Sequence, residues 1–508
     1  MAITSLGNPS QLSHYPIIII GAGPAGLTAA YQLTKSHAVP LVIERSSQVG
    51  GIARTEKYKG YRFDIGGHRF FTKLEPIQTL WNEILGQDFL EVSRLSRIYY
   101  KDTFFNYPLT LFDTLVKLGV VESLMIIGSY LKSQLKARVF RQTELNTFED
   151  WVSYRFGGRL FQTFFRTYTE KVWGISCKEL QADWAAQRIQ GLSLTKAIID
   201  TLIGSKDTKT LIKSFYYPRL GPGMLWERCH QAIEKQGGLV ELETSVISLK
   251  HRANRIQHVI TQQSDIQRTL TSDHFISSMP ITALVKALDP PAPISVLDAA
   301  NSLKYRDFLL VALIIDQADL FPDNWIYIHN PEVRVGRIQN FKNWSIEMVP
   351  DSSKTCLGLE YFCNETDDIW QQSNRDLIDL ATQELIQLGL ITQDIVIDGT
   401  VLRQPKAYPV YDQDYRKHLD TLQNYLATFE NLQTVGRNGM HRYNNQDHSM
   451  MAGLLAAQNI LGSLYDLWQI NTEQSYHESV TQKRQPCKLP LSSDQAPDES
   501  TEPPLKVA

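Results

Sequence analysis

At 508 residues, 43% hydrophobic and 21% charged, the chain has the make-up of a globular protein long enough for more than one domain. A net charge of −3 excludes a global electrostatic attraction to nucleic acid or to an anionic membrane, so an anionic ligand must be held by a local arginine cluster. Cys177, Cys229, Cys356, Cys363 and Cys487 form neither a CxxC pair nor a disulfide ladder, which points to reduced thiols and a cytoplasmic protein, and no spacing points to a metal site.

In chain order, residues 1–15 read as a flexible leader without the basic and apolar regions of a signal peptide. Residues 16–74 open the first domain. Ile17 to Ile20 suit a parallel strand covered on both faces. Gly21-Ala22-Gly23-Pro24-Ala25-Gly26 follows: Gly21 for a tight turn, Gly23 for close approach to a pyrophosphate, Gly26 for close helix packing. Pro24 fits the first turn of the ensuing helix, whose N-terminus faces the pyrophosphate. A second strand, Leu41 to Ile43, ends in Glu44, placed to accept bonds from a ribose diol. These features imply a dinucleotide and leave NAD(P) and FAD open. Two further glycine pairs, Gly50-Gly51 before Arg54 and Gly66-Gly67 before His68, suggest backbone packed against a flat cofactor.

Residues 75–213 read as an inserted helical domain, with apolar side chains at three- and four-residue spacing around Trp81, Leu85, Leu111, Leu115, Leu118, Phe161 and Phe165. Its most apolar window, Leu115 to Leu131, is broken by Lys117, Glu122 and Ser123, so no membrane-spanning helix is expected; the window reads as a core or interfacial helix, with a peripheral membrane contact as the alternative. Residues 214–300 return to the first domain: a turn through Gly221-Pro222-Gly223, a helix from Leu225 to Lys235, strands over 240–242, 246–250 and 256–261, and a strand at Phe275 to Pro280. Residues 301–430 are read as a mainly antiparallel sheet that binds substrate. Residues 431–471 complete the first domain with the strand Leu432 to Val435, Gly436-Arg437 and a helix starting near Ser449. Residues 472–508, rich in Ser, Gln, Pro and acidic residues, read as a disordered tail. The fold class expected is α/β: a Rossmann-like domain, an inserted helical domain and a mainly antiparallel sheet domain.

GAGPAG with Glu44, the GGxxRT loop at 50–55, the Asp64-Ile65-Gly66-Gly67-His68 segment and the terminal strand–Gly436-Arg437–helix unit together resemble FAD flavoproteins of the amine oxidase and protoporphyrinogen oxidase superfamily. The resemblance implies FAD. It assigns the cofactor to Gly21, Gly23, Pro24, Ala25, Gly26, Glu44, Arg45, Gly51, Arg54, Gly67, His68, Val246, Gly436, Arg437, Ser449 and Met450. Within the superfamily the sequence is most similar to UDP-galactopyranose mutases. Phe148-Glu149-Asp150-Trp151, the Phe164 to Trp173 block, Trp325 to Arg337, Ala407-Tyr408-Pro409 and Arg442 to Ser449 carry that likeness. It implies a nucleotide-sugar substrate whose pyranose and furanose forms interconvert through an adduct at N5 of reduced flavin. Arg166 and Arg337 would clamp the diphosphate over the isoalloxazine, His68 would lie at the flavin, and Trp151, Trp325, Tyr408, Tyr443 and Asn445 would line the substrate pocket. Paired guanidinium N–H groups suit a diphosphate better than a lysine does. The sequence departs from that family at Gly221-Pro222-Gly223-Met224, at Thr147 and in an insert over Thr110 to Arg141. The alternative is a true FAD oxidoreductase: an amine oxidase, a protoporphyrinogen-oxidase-like enzyme or a desaturase. Amine oxidases tend to set an aromatic pair beside the flavin, whereas Tyr443 to Asp447 is a polar set.

Overall fold

The computed structural model describes residues 13–107, 109, 111–139, 145–182, 213–392 and 395–471. Most of the expected leader, the expected tail and the part of the helical expectation beyond residue 182 lie outside them.

The architecture is mixed α/β. The four isoleucines end the strand Ser13–Ile20 and are covered on both faces. This strand pairs in parallel with Pro40–Ile43 on one side and with Ile266–Ser277 on the other, Ile20 lying opposite Ile43 and Ser277. Leu239–Glu241 continues the parallel order beyond Pro40–Ile43, and Leu432–Thr434 adds to the end of Ile266–Ser277. Strands from three distant parts of the chain thus end at one edge, and there stand Gly21, Glu44, Ser278 and Gly436. In open parallel sheets that carboxyl edge is where ligands bind. The antiparallel strands Ser245–Arg252 and Arg255–Gln263 extend the sheet away from it.

The second sheet has seven strands in the order Val396–Pro409, Tyr305–Ile315, Thr355–Cys363, Arg337–Asn340, Trp325–Ile328, Ser96–Tyr100 and Thr103–Asn106. All neighbours are antiparallel except Trp325–Ile328 with Ser96–Tyr100. Its last two strands, and Phe89–Ser93, which pairs with Ser214–Pro218, correct the expectation of a helical run from Glu75. Helices resume only at Leu111. Tyr305–Ile315 is apolar on both faces: Phe308, Leu310, Ala312 and Ile314 join the aromatic core under the inserted helices, while Leu309, Val311, Leu313 and Ile315 pack with Leu377, Ala381 and Leu385 of the helix Asn374–Gln387. The four described cysteines are buried and carry no disulfide. No helix among the described residues is long and apolar enough to cross a membrane.

Candidate functional site

The glycine loop is built as its spacing requires. Gly21 has φ +100°, and its N–H donates to the Ile43 carbonyl at 2.8 Å. A Cβ on Gly26 would lie 1.9 Å from the Gly21 oxygen, so only glycine lets the helix Pro24–Lys35 seat on its own loop. Gly51 faces Gly23 across the cradle, where a Cβ on Gly51 would come 3.2 Å from the Gly23 Cα. The N-cap residue, Gly23, supplies no side-chain cap to the first-turn N–H groups. Glu44 accepts from the Ala22 N–H at 2.8 Å and the Ser46 N–H at 2.9 Å, which fixes its carboxylate at the strand tip while each oxygen keeps a lone pair for a hydroxyl. The Thr244 N–H donates to the Glu44 carbonyl and carries the chain past it to Val246. Arg54 donates to Glu56 at 2.6 Å and to the Gly51 carbonyl at 2.8 Å, bracing the second loop, and Arg45 is exposed.

The helix Gln446–Ile460 starts three residues earlier than its apolar pattern suggests. Asn445 at its N-cap makes no side-chain cap bond, and the buried amide atoms of Gln446 have no protein partner. Ser449 is buried, and the Met450 sulfur accepts from the Trp81 indole at 3.1 Å, so the Met450 side chain belongs to the core and leaves only its backbone for a cofactor. Uncapped helix ends, glycine facing glycine and a fixed carboxylate together suit the diphosphate, ribose and ring of FAD.

Beside this cradle lies a polar cluster. Gly66, at φ +93°, passes under the second sheet: a Cβ there would stand 3.7 Å from Arg337 Nη2 and 3.9 Å from the Tyr408 hydroxyl. His68 holds the Ile65 carbonyl through Nε2 at 3.0 Å. Burial, with the nearby Arg437 and Arg337 charges, pushes its pKa down to about 4, so the ring is neutral at physiological pH. Arg337 donates from Nε to Glu360 at 2.7 Å, and Gln339 donates to the other Glu360 oxygen at 2.6 Å. Glu360 is fully buried. Burial works against the Arg337 charge, but Glu360, Tyr168 and Tyr408 outweigh it and hold the pKa above the usual range. Tyr408 stacks on Tyr443 at 5.6 Å and 15°, and Arg437 lies over both rings at 5.5 and 4.9 Å. Burial raises the Tyr408 and Tyr168 pKa values, so both are neutral hydroxyls.

Arg166 has different surroundings. Its side chain is 57% exposed, pairs with Glu170 at 3.4 Å, and lines a cavity of about 700 Å³ with Gln162, Lys171 and Pro331. Tyr168, two residues on, turns to Arg337. Of the expected ring platforms, Trp151 is half-buried under Arg155, 5.2 Å away. Trp325 departs from expectation: it is 2% exposed, packed on Trp344, with Arg69 and Arg94 over its ring, so it is a core residue, and the half-buried ring on that strand is Tyr327. Asn445 is half-buried at the helix start.

Sequence reasoning missed Tyr168, Glu360, Gln339 and Lys171. Lys171 donates to the Asn330 and Val335 carbonyls at 2.6 and 3.2 Å, tying its helix to the loop before Arg337, and burial lowers its pKa to about 8. Glu360 had a legible signal: a lone acid in the apolar strand Thr355–Cys363 demands a buried partner. Thr147, an apparent departure, is a helix N-cap that accepts from the Asp150 N–H at 3.1 Å.

Asp64 anchors the turn that departs from the family pattern. It accepts from the Tyr217 and Thr55 hydroxyls, and Thr55 accepts from the Gly223 N–H at 3.0 Å. Burial raises the Asp64 pKa from 3.8 to about 7. The native state therefore binds this proton more tightly than the unfolded chain, and the stability it contributes is complete below about pH 4 and lost as pH rises through about 7. Thermal unfolding between pH 4 and 8 should show that decline in the parent protein and a flatter profile in Asp64→Asn. An unchanged slope would assign the proton elsewhere.

The sequence profile described as flavin containing amine oxidoreductase matches residues 24–461. Among curated proteins, the L-amino-acid oxidase of Crotalus adamanteus is 38% identical over 71 residues, 14% of this chain and 13% of that one. The chain thus aligns with about an eighth of the length of that relative. Among solved structures, reduced UDP-galactopyranose mutase superposes with a TM-score of 0.79 at 20% identity, over 91% of this chain and 99% of the other. A putative protoporphyrinogen oxidase from Exiguobacterium sp. 255-15 superposes with a TM-score of 0.66 at 16% identity, over 89% and 99%. At these identities the superpositions establish the fold.

Proposed function

This chain belongs to the family of flavin-containing amine oxidoreductases, with FAD as its cofactor, and from that premise we propose that it is a mutase that interconverts the pyranose and furanose forms of a nucleotide sugar. The observation that carries the reading is the Arg337 guanidinium and the Tyr408 hydroxyl meeting at Gly66, two residues before His68, with Tyr168 packed edge-on against Tyr327, the cross-strand partner of Arg337. A sugar-nucleotide diphosphate brings two negative charges, which are costly to bury without cations and directed donors. Glu360 cancels much of the Arg337 charge, so a second cation is required. Arg437 bonds the Asn444 and Ala407 carbonyls, which leaves its charge for cofactor or substrate anions. Arg166, at the cavity, supplies another on the substrate side. FAD, when bound, supplies the nucleophile at the sugar. The chain's own residues hold the leaving diphosphate and keep His68 neutral.

One observation favours an oxidoreductase acting on an amine: the parallel Tyr408–Tyr443 pair, a surface on which a cationic substrate could rest. Arg437 already covers both rings, which supports the mutase reading instead.

The test is a panel of nucleotide hexoses offered to dithionite-reduced protein, with ring isomers separated by chromatography. Isomer formation is expected. Hydrogen peroxide released on adding amines, with no nucleotide-sugar binding, would replace this reading with the oxidase. Arg166→Ala should weaken nucleotide-sugar binding roughly 10- to 100-fold, the value of one charge-assisted bond pair, with FAD content unchanged.

A further inference from the structure

The helix Val120–Val139 is built inside out. Its acid, Glu122, turns inward and accepts from Arg159 Nε and Nη2 at 2.6 and 2.7 Å. Ile126 and Tyr130 are buried in the aromatic core, and a Cβ on Gly157 would come 2.9 Å from the Tyr130 nitrogen, so this inner face is close-packed. The Ser123 hydroxyl donates to the Leu115 and Gly119 carbonyls, locking the preceding helix, Leu111–Leu118, against it. On the outer face Val120, Val121, Leu124, Leu131 and Leu135 are 55–76% exposed, and Val116 of the preceding helix adds to them. They recur at helical spacing and form a stripe about 23 Å long. Single exposed apolar residues are ordinary, but a contiguous row marks a contact surface.

Charge selects the occupant. The exposed lysines Lys132 and Lys136 flank Leu131 and Leu135, and among the described residues the exposed positions of this helix carry no carboxylate. A second copy docked through this same helix face would bring the same lysines and, among its exposed described positions, no carboxylate. An anionic bilayer supplies both what the leucines and what the lysines need. We propose that this helix is a peripheral membrane-docking surface, lying in the headgroup region of an anionic bilayer with its valines and leucines inserted.

The experiment is vesicle flotation of the full-length, FAD-loaded protein. Equimolar phosphatidylglycerol–phosphatidylcholine vesicles should carry the protein upward, and pure phosphatidylcholine vesicles should carry about tenfold less. Val121→Ser/Leu124→Ser/Leu131→Ser should lose about tenfold or more of the binding at unchanged FAD content. Lys132→Gln/Lys136→Gln, which leaves the apolar row intact, should remove the preference for phosphatidylglycerol. No flotation with either vesicle, or full flotation of both variants, overturns the proposal. A dimer in sedimentation velocity that the serine variant converts to monomer also overturns it, since the stripe would then be a self-association surface.

Discussion

Arg337→Ala is expected to destabilise the fold by about 3–5 kcal/mol, as removal of one partner from a buried ion pair does. Glu360 is fully buried, and its two oxygens are satisfied by Arg337 on one side and Gln339 on the other. Removing the guanidinium leaves a carboxylate in a low-dielectric sheet with a single amide donor. Urea unfolding should therefore show a much lower midpoint for the single variant. Arg337→Ala/Glu360→Gln should recover most of that loss, because a neutral amide no longer needs the cation. The double variant should still fail to bind nucleotide sugar tightly, because the cation beside Tyr168 and Tyr408 is gone. Recovery of stability together with affinity would show that Arg337 serves the sheet and not the ligand.

Gly453→Ala should have one of the largest effects of any single methyl added to the described residues, comparable to one at Gly26. A Cβ there would lie 2.0 Å from the Ala25 oxygen and 2.9 Å from its carbonyl carbon, both backbone atoms that cannot rotate away. The helices Pro24–Lys35 and Gln446–Ile460 would have to separate, and with them the glycine loop and the helix start proposed to cradle FAD. The expected result is flavin-free or insoluble protein, with a loss well above the roughly 1–3 kcal/mol typical of overpacking. Gly128→Ala is the contrast: a Cβ there meets nothing within 4 Å on an exposed helix, so it should stabilise by up to about 1 kcal/mol. FAD absorbance per mole of purified protein reads the first, and the urea-unfolding midpoint reads the second. Normal flavin loading in Gly453→Ala would mean that the helices have room the structure does not show.

The parallel sheet was legible because strands buried on both faces read as unbroken apolar runs, as at Ile17 to Ile20 and Leu41 to Ile43. The glycine loop was legible because each glycine answers a steric demand. The strands between Phe89 and Asn106 were not: they are only four or five residues long, and their burial does not alternate cleanly, so their two-residue period is weak beside the helical pattern around them. The start of the terminal helix was missed because Asn445 caps nothing with its side chain. Arg166 and Arg337 were singled out by the resemblance of their blocks, but their surroundings could not be foreseen. Phe161–Arg166 is a π-helical turn, which changes the angular step per residue and so re-sorts which side chains of that block face inward. Tyr168 packs against Tyr327, the cross-strand partner of Arg337, while Arg166 faces the cavity.

The seam between Ala25 and Gly453 also governs when the protein can become a holoenzyme. Its two sides are separated by almost the whole length of the chain, which at ribosomal speed is on the order of tens of seconds of synthesis. Until the second side has been made, the nascent polypeptide has half a cradle, and the strand Ile266–Ser277 lacks its neighbour Leu432–Thr434. Flavin capture is therefore expected late, after translation of the helix Gln446–Ile460, and the cell must shelter a long intermediate with an open β-edge up to that moment.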